Sequence, residues 1–415
     1  MPRSVRLPAA LAAAAVAVLP VAGPAVPEAA AQSGECTFPA EPYKGRPWSL
    51  QRVNLEDMWK AAGTKGQGVR VAVIDTGVDA THPQLRDAVD RTLGANFIPK
   101  KPKKDGLAQS TPRGSEKGLT DYVGHGTKIA GIIAARPADN TGFVGLAPGA
   151  TIIPIIQNDE NGTGTSDTLA QAITYAVDTA KADVINISQD TAKAMLPGST
   201  LQAAVNHALD SDVVVVASAG NDGLGGNVKK TYPASYAGVL AVAASDRNNE
   251  RAAFSQSGDF VGIAAPGVDM VSTVPKGGHC SDNGTSFSAP YVAGVAALLR
   301  AKHDDWTARQ IVAQLQQTAE RTIRGKDRLV GWGVVDPVRA LTEDVTPIEA
   351  PAPDRFELSR SEYPVPAALP VGETEQQRNE RLGTYALVAA GVLVALTAGT
   401  ARVYRDRARR RGPAS

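Results

Sequence analysis

Between Val69 and Ala243 the chain alternates short β-branched runs with stretches of helical period, a pattern few architectures can absorb. Val69-Arg70-Val71-Ala72-Val73-Ile74 reads as a buried strand running into the turn Asp75-Thr76-Gly77. Further strands are predicted at Thr151–Ile156, Asp183–Ser188, Val213–Ser218 and Val239–Ala243. Between them, Gly124-His125-Gly126-Thr127 opens an apolar helix over Lys128–Ala135. Leu169, Ile173, Ala176, Val177 and Ala180 recur at helical spacing, as do Leu201, Ala204, Val205, Ala208 and Leu209. This describes an α/β domain on a parallel sheet flanked by helices. Functional groups in such sheets gather at strand C-terminal ends, where Asp75, Ser188 and Asn221 fall.

A second stretch stands out: Asn283-Gly284-Thr285-Ser286-Phe287-Ser288-Ala289-Pro290-Tyr291-Val292-Ala293-Gly294. Small polar residues run straight into an Ala-, Val- and Leu-rich segment, so Ser286 sits where a loop becomes a buried helix. Its N–H is then a free donor of a helix start, and the dipole there favours developing negative charge. Pro290 is expected in the first turn, where no i−4 partner is lost. A serine so placed is a nucleophile candidate if a base and an orienting acid lie elsewhere. A Ser/Thr-rich cap before an ordinary core helix reads the same in isolation.

Peptide hydrolysis by a serine needs a base, a carboxylate to orient it, and donors for the oxyanion. His125 lies in a glycine-flanked turn at a helix start, Asp75 ends a buried strand, and Asn221 follows Gly220 at another strand end. Singly, each has a plainer explanation as a turn former, a packing histidine or a left-handed turn residue. His82 reads as structural, and His207 and His303 as surface or packing residues. The pair His279-Cys280 falls far short of a metal site, and no dense Asp/Asn loop marks a calcium site. No metal and no cofactor are expected.

The stretches Val73-Ile74-Asp75-Thr76-Gly77-Val78-Asp79, Gly124-His125-Gly126-Thr127-Lys128-Ile129-Ala130-Gly131 and Asn283–Pro290 resemble the three signature blocks of subtilisin-like serine proteases. They occur in that family's order, Asp then His then Ser, and the resemblance covers about residues 48–343. It implies a subtilisin-like fold and endopeptidase activity on a peptide or protein substrate. Ser286 would be the nucleophile, His125 the general base and then acid, and Asp75 the group orienting the imidazole. Asn221 would donate to the oxyanion beside the Ser286 N–H, and Ser188, Ser218, Ala219 and Gly220 would contact substrate. One departure is visible: where the family has Ser-Leu-Gly-Gly, this chain has Ser188-Gln189-Asp190, which points to narrower specificity. An aspartic protease, prompted by Asp75-Thr76-Gly77, needs two carboxylates at one site, and no second Asp-Thr-Gly or Asp-Ser-Gly occurs, so only a symmetric dimer would supply both.

The ends of the 415-residue chain bear on its location. Arg3 and Arg6, the apolar run Ala9–Val26 and Ala29-Ala30-Ala31 read as a signal peptide over 1–31. Residues 32–47 form a polar, Pro-bearing extension before the catalytic domain at 48–343. A Pro-rich linker is expected over 344–381, then a charge-free run at 382–401 long enough to span a bilayer. The tail at 402–415 carries six arginines against Asp406; positive residues stay in the cytoplasm, so the bulk would lie outside a cell membrane crossed once. With the termini set aside the remainder carries about −5, so no nucleic-acid partner is expected. Residues 97–121, rich in Lys, Gly and Ser, read as a long surface loop. Cys36 and Cys280 are available to pair in an exported protein, closing a loop of roughly 245 residues; two buried thiols are the other reading.

This layout resembles the mycosins, membrane-anchored subtilisin-like proteases of type VII secretion systems. Pro47-Trp48-Ser49-Leu50 and Ile187-Ser188-Gln189 are also similar to that group. The implied partners are the membrane and the type VII secretion complex. A mainly structural component of that complex, and a general cell-surface protease, are the competing readings.

Overall fold

The computed structural model describes residues 36–100, 113–159, 164–189, 198–226, 230–354 and 372–410, in two units that divide after Asp354. The expected signal peptide lies outside these residues. In the first unit, α1 (Trp48–Gln51) and α2 (Leu55–Ala62) lead to β1 (Arg70–Asp75) and β2 (Ala95–Asn96). Then come α3 (His125–Ala134), β3 (Thr151–Ile156), α4 (Ser166–Asp178), β4 (Val184–Ile187), α5 (Thr200–Asp210), β5 (Val214–Ser218) and β6 (Leu240–Ser245). Three short strands, β7 (Ile263–Pro266), β8 (Met270–Thr273) and β9 (His279–Asp282), precede α6 (Thr285–Lys302), α7 (Ala308–Gln317) and α8 (Pro337–Thr342).

Seven strands pair in parallel in the order β2-β3-β1-β4-β5-β6-β7. Its five inner strands β3, β1, β4, β5 and β6 and their helical flanks are those the alternating sequence predicts; the edge strands β2 and β7 are additions. Successive side chains of a strand face opposite ways. Val71 and Val73 therefore join one core with Ile129 and Ile133 of α3 and Val292 and Val295 of α6. Ala72 and Ile74 join a second core with Ile173 and Val177 of α4 and Leu201 and Val205 of α5. Burying each such larger aliphatic side chain contributes about 1.5–3 kcal/mol. The register sets Asp75 opposite Ile156 on one side and Ile74 opposite Ile187 on the other, which brings three strand ends together.

Local chemistry fixes the helix limits. Thr165 and Thr168 form a capping box that starts α4, and Gly63, at φ 66°, ends α2. Strands β8 and β9 form an antiparallel hairpin, with Met270 opposite Asp282. The extension at 36–47 runs along it: Ala40 N–H donates to Gly277 O (3.0 Å), His279 N–H to Glu41 O (3.2 Å) and Tyr43 N–H to His279 Nδ1 (3.1 Å). Cys36 is bonded to Cys280, with Cα atoms 6.0 Å apart.

The tail expected to be linker from 344 is held by the first unit as far as Asp354. Gln310 of α7 donates to Glu349 (2.7 Å), and Arg321 grips Asp354 through Nε (3.0 Å) and Nη2 (2.9 Å). Proline content marks that segment as non-helical but does not keep its polar groups from finding partners on a neighbouring helix. The second unit contains α9 (Glu375–Arg410), a helix of 36 residues, long and apolar enough to cross a membrane. It is longer than the charge-free run 382–401, because polar residues on both sides continue its turns.

Candidate active site

Asp75 ends β1, fully buried, and His125 opens α3. Two glycines make their meeting possible. Gly124 takes φ 86°, and a Cβ on Gly126 would lie 2.1 Å from Gly77 O, so only glycine lets the helix start press onto the Asp75 turn. His125 Nδ1 then lies 2.8 Å from Asp75 Oδ1 and 2.9 Å from Oδ2. A carboxylate only accepts, so Nδ1 carries the proton and Nε2 is left as the basic nitrogen. Burial acts to depress the imidazole pKa. The Asp75 charge and hydrogen bond, with the charge of Asp121, outweigh it and hold the ring above its ordinary value.

Asp121 is the residue that sequence reasoning missed, having been placed at the end of a surface loop. It is buried and accepts from Thr76 Oγ1 (3.0 Å), Val123 N (3.0 Å), Gly124 N (2.8 Å), Thr127 N (2.8 Å) and Thr127 Oγ1 (2.7 Å). Burial pushes its carboxyl above the usual range against the pull of these donors. The Thr76 hydroxyl also lies 3.2 Å from Asp75 Oδ1 and accepts from Gly126 N (3.0 Å). An acid four residues before a helix-starting histidine was the available signal, since a carboxylate there can satisfy free helix donors. Much of the loop's middle, 101–112, lies outside the described residues.

Helix α6 is buried from Thr285 to Leu299 except at Ser286. Ser286 Oγ donates to Ser188 O (3.1 Å), and Ser188 Oγ donates to Ser286 O (2.8 Å). The helix begins at Thr285, so Pro290 is its sixth residue and stands in the second turn, not the first. Its missing N–H orphans the carbonyl four residues back, that of Ser286, and the Ser188 hydroxyl fills the vacancy. The rings of Phe287 and His125 are 5.6 Å apart between centroids, which brings the start of α6 beside the imidazole.

Asn221 follows β5. Its Oδ1 accepts from Thr285 N (2.9 Å) and Thr285 Oγ1 (3.0 Å), so the carboxamide is oriented and Nδ2 is left to donate. A Cβ on Gly284 would lie 3.6 Å from that Nδ2, so the donor sits beside the turn that carries Ser286. Ser218 and Ala219 are buried. Ala219 N–H is spent on Val242 O (2.9 Å) and Gly220 N–H on Thr285 Oγ1 (3.2 Å). Both N–H groups are thus engaged within the fold. Gln189 Nε2 donates to Gln157 Oε1, and Gln157 Nε2 donates to Thr165 O (3.0 Å) and Thr168 Oγ1 (2.9 Å). Asp190 lies outside the described residues. The remaining histidines have structural partners: His82 with Gly278 O (3.2 Å) and Gln84 N (3.1 Å), His207 with Asp178 (2.7 Å), His303 with Asp344 (2.7 Å), and His279 with Gln84 (2.7 Å). Burial, helped by neighbouring His82, lowers His279 to about 4.

A parallel sheet with an aspartate, a histidine and a helix-start serine at its C-terminal edge defines the class, and comparison with known proteins agrees. The Subtilase family (Peptidase S8) model matches residues 66–333, and the chain belongs to that family. It is a serine endopeptidase. It is 39% identical over 294 residues to the thermostable alkaline protease of Halalkalibacterium halodurans, covering 71% of this chain and 73% of that protein. It is also 39% identical to subtilisin Savinase of Lederbergia lenta, covering 70% of this chain and 96% of that one. Among solved structures it is similar to the MycP3 protease from the type VII (ESX-3) secretion system, at 35% identity and TM-score 0.62, covering 74% of this chain and 90% of that one. MycP1 from Mycobacterium smegmatis matches at 30% identity and TM-score 0.63, covering 77% and 90%.

Proposed function

We propose that this chain is a membrane-anchored mycosin that cleaves a protein substrate beside a type VII secretion machine, using Asp75, His125 and Ser286. The observation that carries the triad is the two-oxygen contact of Asp75 with His125 Nδ1, next to a helix whose one unburied residue before Lys302's turn is Ser286. In this reading Ser286 Oγ leaves the Ser188 carbonyl, gives its proton to His125 Nε2 and attacks the peptide carbonyl. The oxyanion takes the free Ser286 N–H and Asn221 Nδ2. The imidazolium, supported by Asp75, protonates the departing amine, and water then hydrolyses the acyl-enzyme with His125 as base. Ser188, Ser218, Ala219 and Gly220 wall the cleft.

The link to type VII secretion rests on the similarity to MycP proteases. Anchoring rests on α9. Tyr385 and Tyr404 lie 19 residues apart on it, about 28 Å along a helix, close to the roughly 30 Å of a hydrocarbon core. Such tyrosines suit the two interfaces, and the arginines that follow Ala401 suit the cytoplasmic side. The test is covalent labelling of the full-length protein in membranes by a fluorophosphonate. Wild type is expected to label and Ser286→Ala to remain unlabelled; labelling that survives in the variant would overturn the triad.

A further inference from the structure

We propose that Lys128 and Asp282 form a positioning pair for the hydrolytic site, an ion pair that clamps the helix carrying His125 to the turn carrying Ser286. The proposal rests on the triad reading above. Lys128 lies three residues after His125 on α3, a spacing that sets the two on neighbouring faces of the helix. Asp282 ends β9, four residues before Ser286. Lys128 Nζ is 2.9 Å from Asp282 Oδ2; the lysine side chain is only 9% exposed and the aspartate 44%. An ammonium so covered is costly without a partner.

Packing of α3 on the hairpin does not need this charge. Ser272 Oγ already donates to Lys128 O (2.6 Å) and Thr273 Oγ1 to Thr127 O (2.8 Å), and a Cβ on Gly131 would collide with Thr273 Oγ1 at 2.1 Å. What the ion pair adds is a link between two catalytic segments and a balanced charge near the imidazole. The charged groups facing that ring are Asp75 from β1, Asp121 from the preceding loop and Lys128 from α3, with Asp282 neutralising Lys128 from β9. Lys128 works against protonation of the ring, opposite to the two aspartates.

The experiment follows the rate of fluorophosphonate labelling of the full chain against pH, in wild type, Lys128→Met, Lys128→Arg and Asp282→Asn. Removing the cation favours imidazolium, so Lys128→Met moves the acid limb up by about 0.3 pH unit. Removing the anion leaves the cation unbalanced, so Asp282→Asn moves it down by about as much. Both lose plateau rate, roughly tenfold, inside the about 10²-fold that a 1 Å misplacement can cost. Lys128→Arg restores both profile and rate. Shifts of the same sign in the two variants, or an unmoved limb, would overturn the proposal. If Lys128→Met fails to fold, Asp282→Asn decides alone, since that side chain is partly exposed and keeps its size in the variant. Failure of the triad reading looks different: labelling would persist in Ser286→Ala.

Discussion

Ser188 and Ser286 hold each other by two opposed hydrogen bonds, each hydroxyl donating to the other's main-chain carbonyl, at 2.8 and 3.1 Å. The end of β4 is thereby fastened to the second residue of α6. One of the bonds occupies a carbonyl that Pro290 leaves without its helical donor. A breaker in the helix and a hydroxyl on a distant strand are thus two halves of one device.

Ser188→Ala removes the donor to the Ser286 carbonyl. Leaving a partly buried acceptor unpaired costs about 1 kcal/mol, the low end of the range for a buried group. Urea unfolding should show that loss, and Ser188→Thr, which keeps the hydroxyl, should recover part of it. Labelling of Ser286 should slow as its main chain loosens.

Asn221→Leu keeps the volume and removes the donor. Loss of one oxyanion donor costs about 10²–10³ in kcat with little change in KM. Thr285→Val should reproduce part of the defect without touching Asn221, because Thr285 Oγ1 orients the carboxamide. Steady-state kinetics on a peptide cleaved by the wild type checks both.

The raised pKa of His125 gives activity and stability opposite responses to pH. The base must be neutral, so the rate falls as pH drops through the raised folded value. The Asp75–His125⁺ pair stabilises the fold in full below the unfolded histidine value of about 6.5, and that contribution disappears as pH rises through the folded value. Asp75→Asn should abolish the stability component and lower the rate by about 10⁴-fold. Urea midpoints across pH 5 to 9, set beside the labelling profile, separate the two responses.

The bond between Cys36 and Cys280 spans a sequence separation of 244. Chain entropy sets its contribution at up to roughly 5 kcal/mol. Cys36→Ser should lower the melting temperature and expose the extension at 36–47 to added protease, while the Asp75–His125 contact persists. A variant with unchanged melting temperature would contradict this.

The elements around the site were largely legible in the chain. β1, β3, β4, β5 and the helices between them follow from period and β-branched runs, which are local properties. β2, β7, β8 and β9 were not read, being only two to four residues each and set among turns. The first unit continues through Asp354, past the 344 start expected for the linker; prolines report backbone preference and say nothing of the Arg321–Asp354 grip. Asp121 was hidden because its donors come from Thr76, 45 residues earlier, as well as from its own turn.

By itself the sequence determined the α/β alternation, the three blocks that carry Asp75, His125 and Ser286, and the apolar run near the C-terminus. Each is encoded within a window of about a dozen residues, where spacing and residue type suffice. Tertiary structure alone decided that Ser188 meets Ser286 across 98 positions, that Thr285 turns Asn221, and that Lys128 reaches Asp282. Those contacts depend on which strand ends the parallel register places side by side, and register is a property of the packed sheet rather than of any one segment.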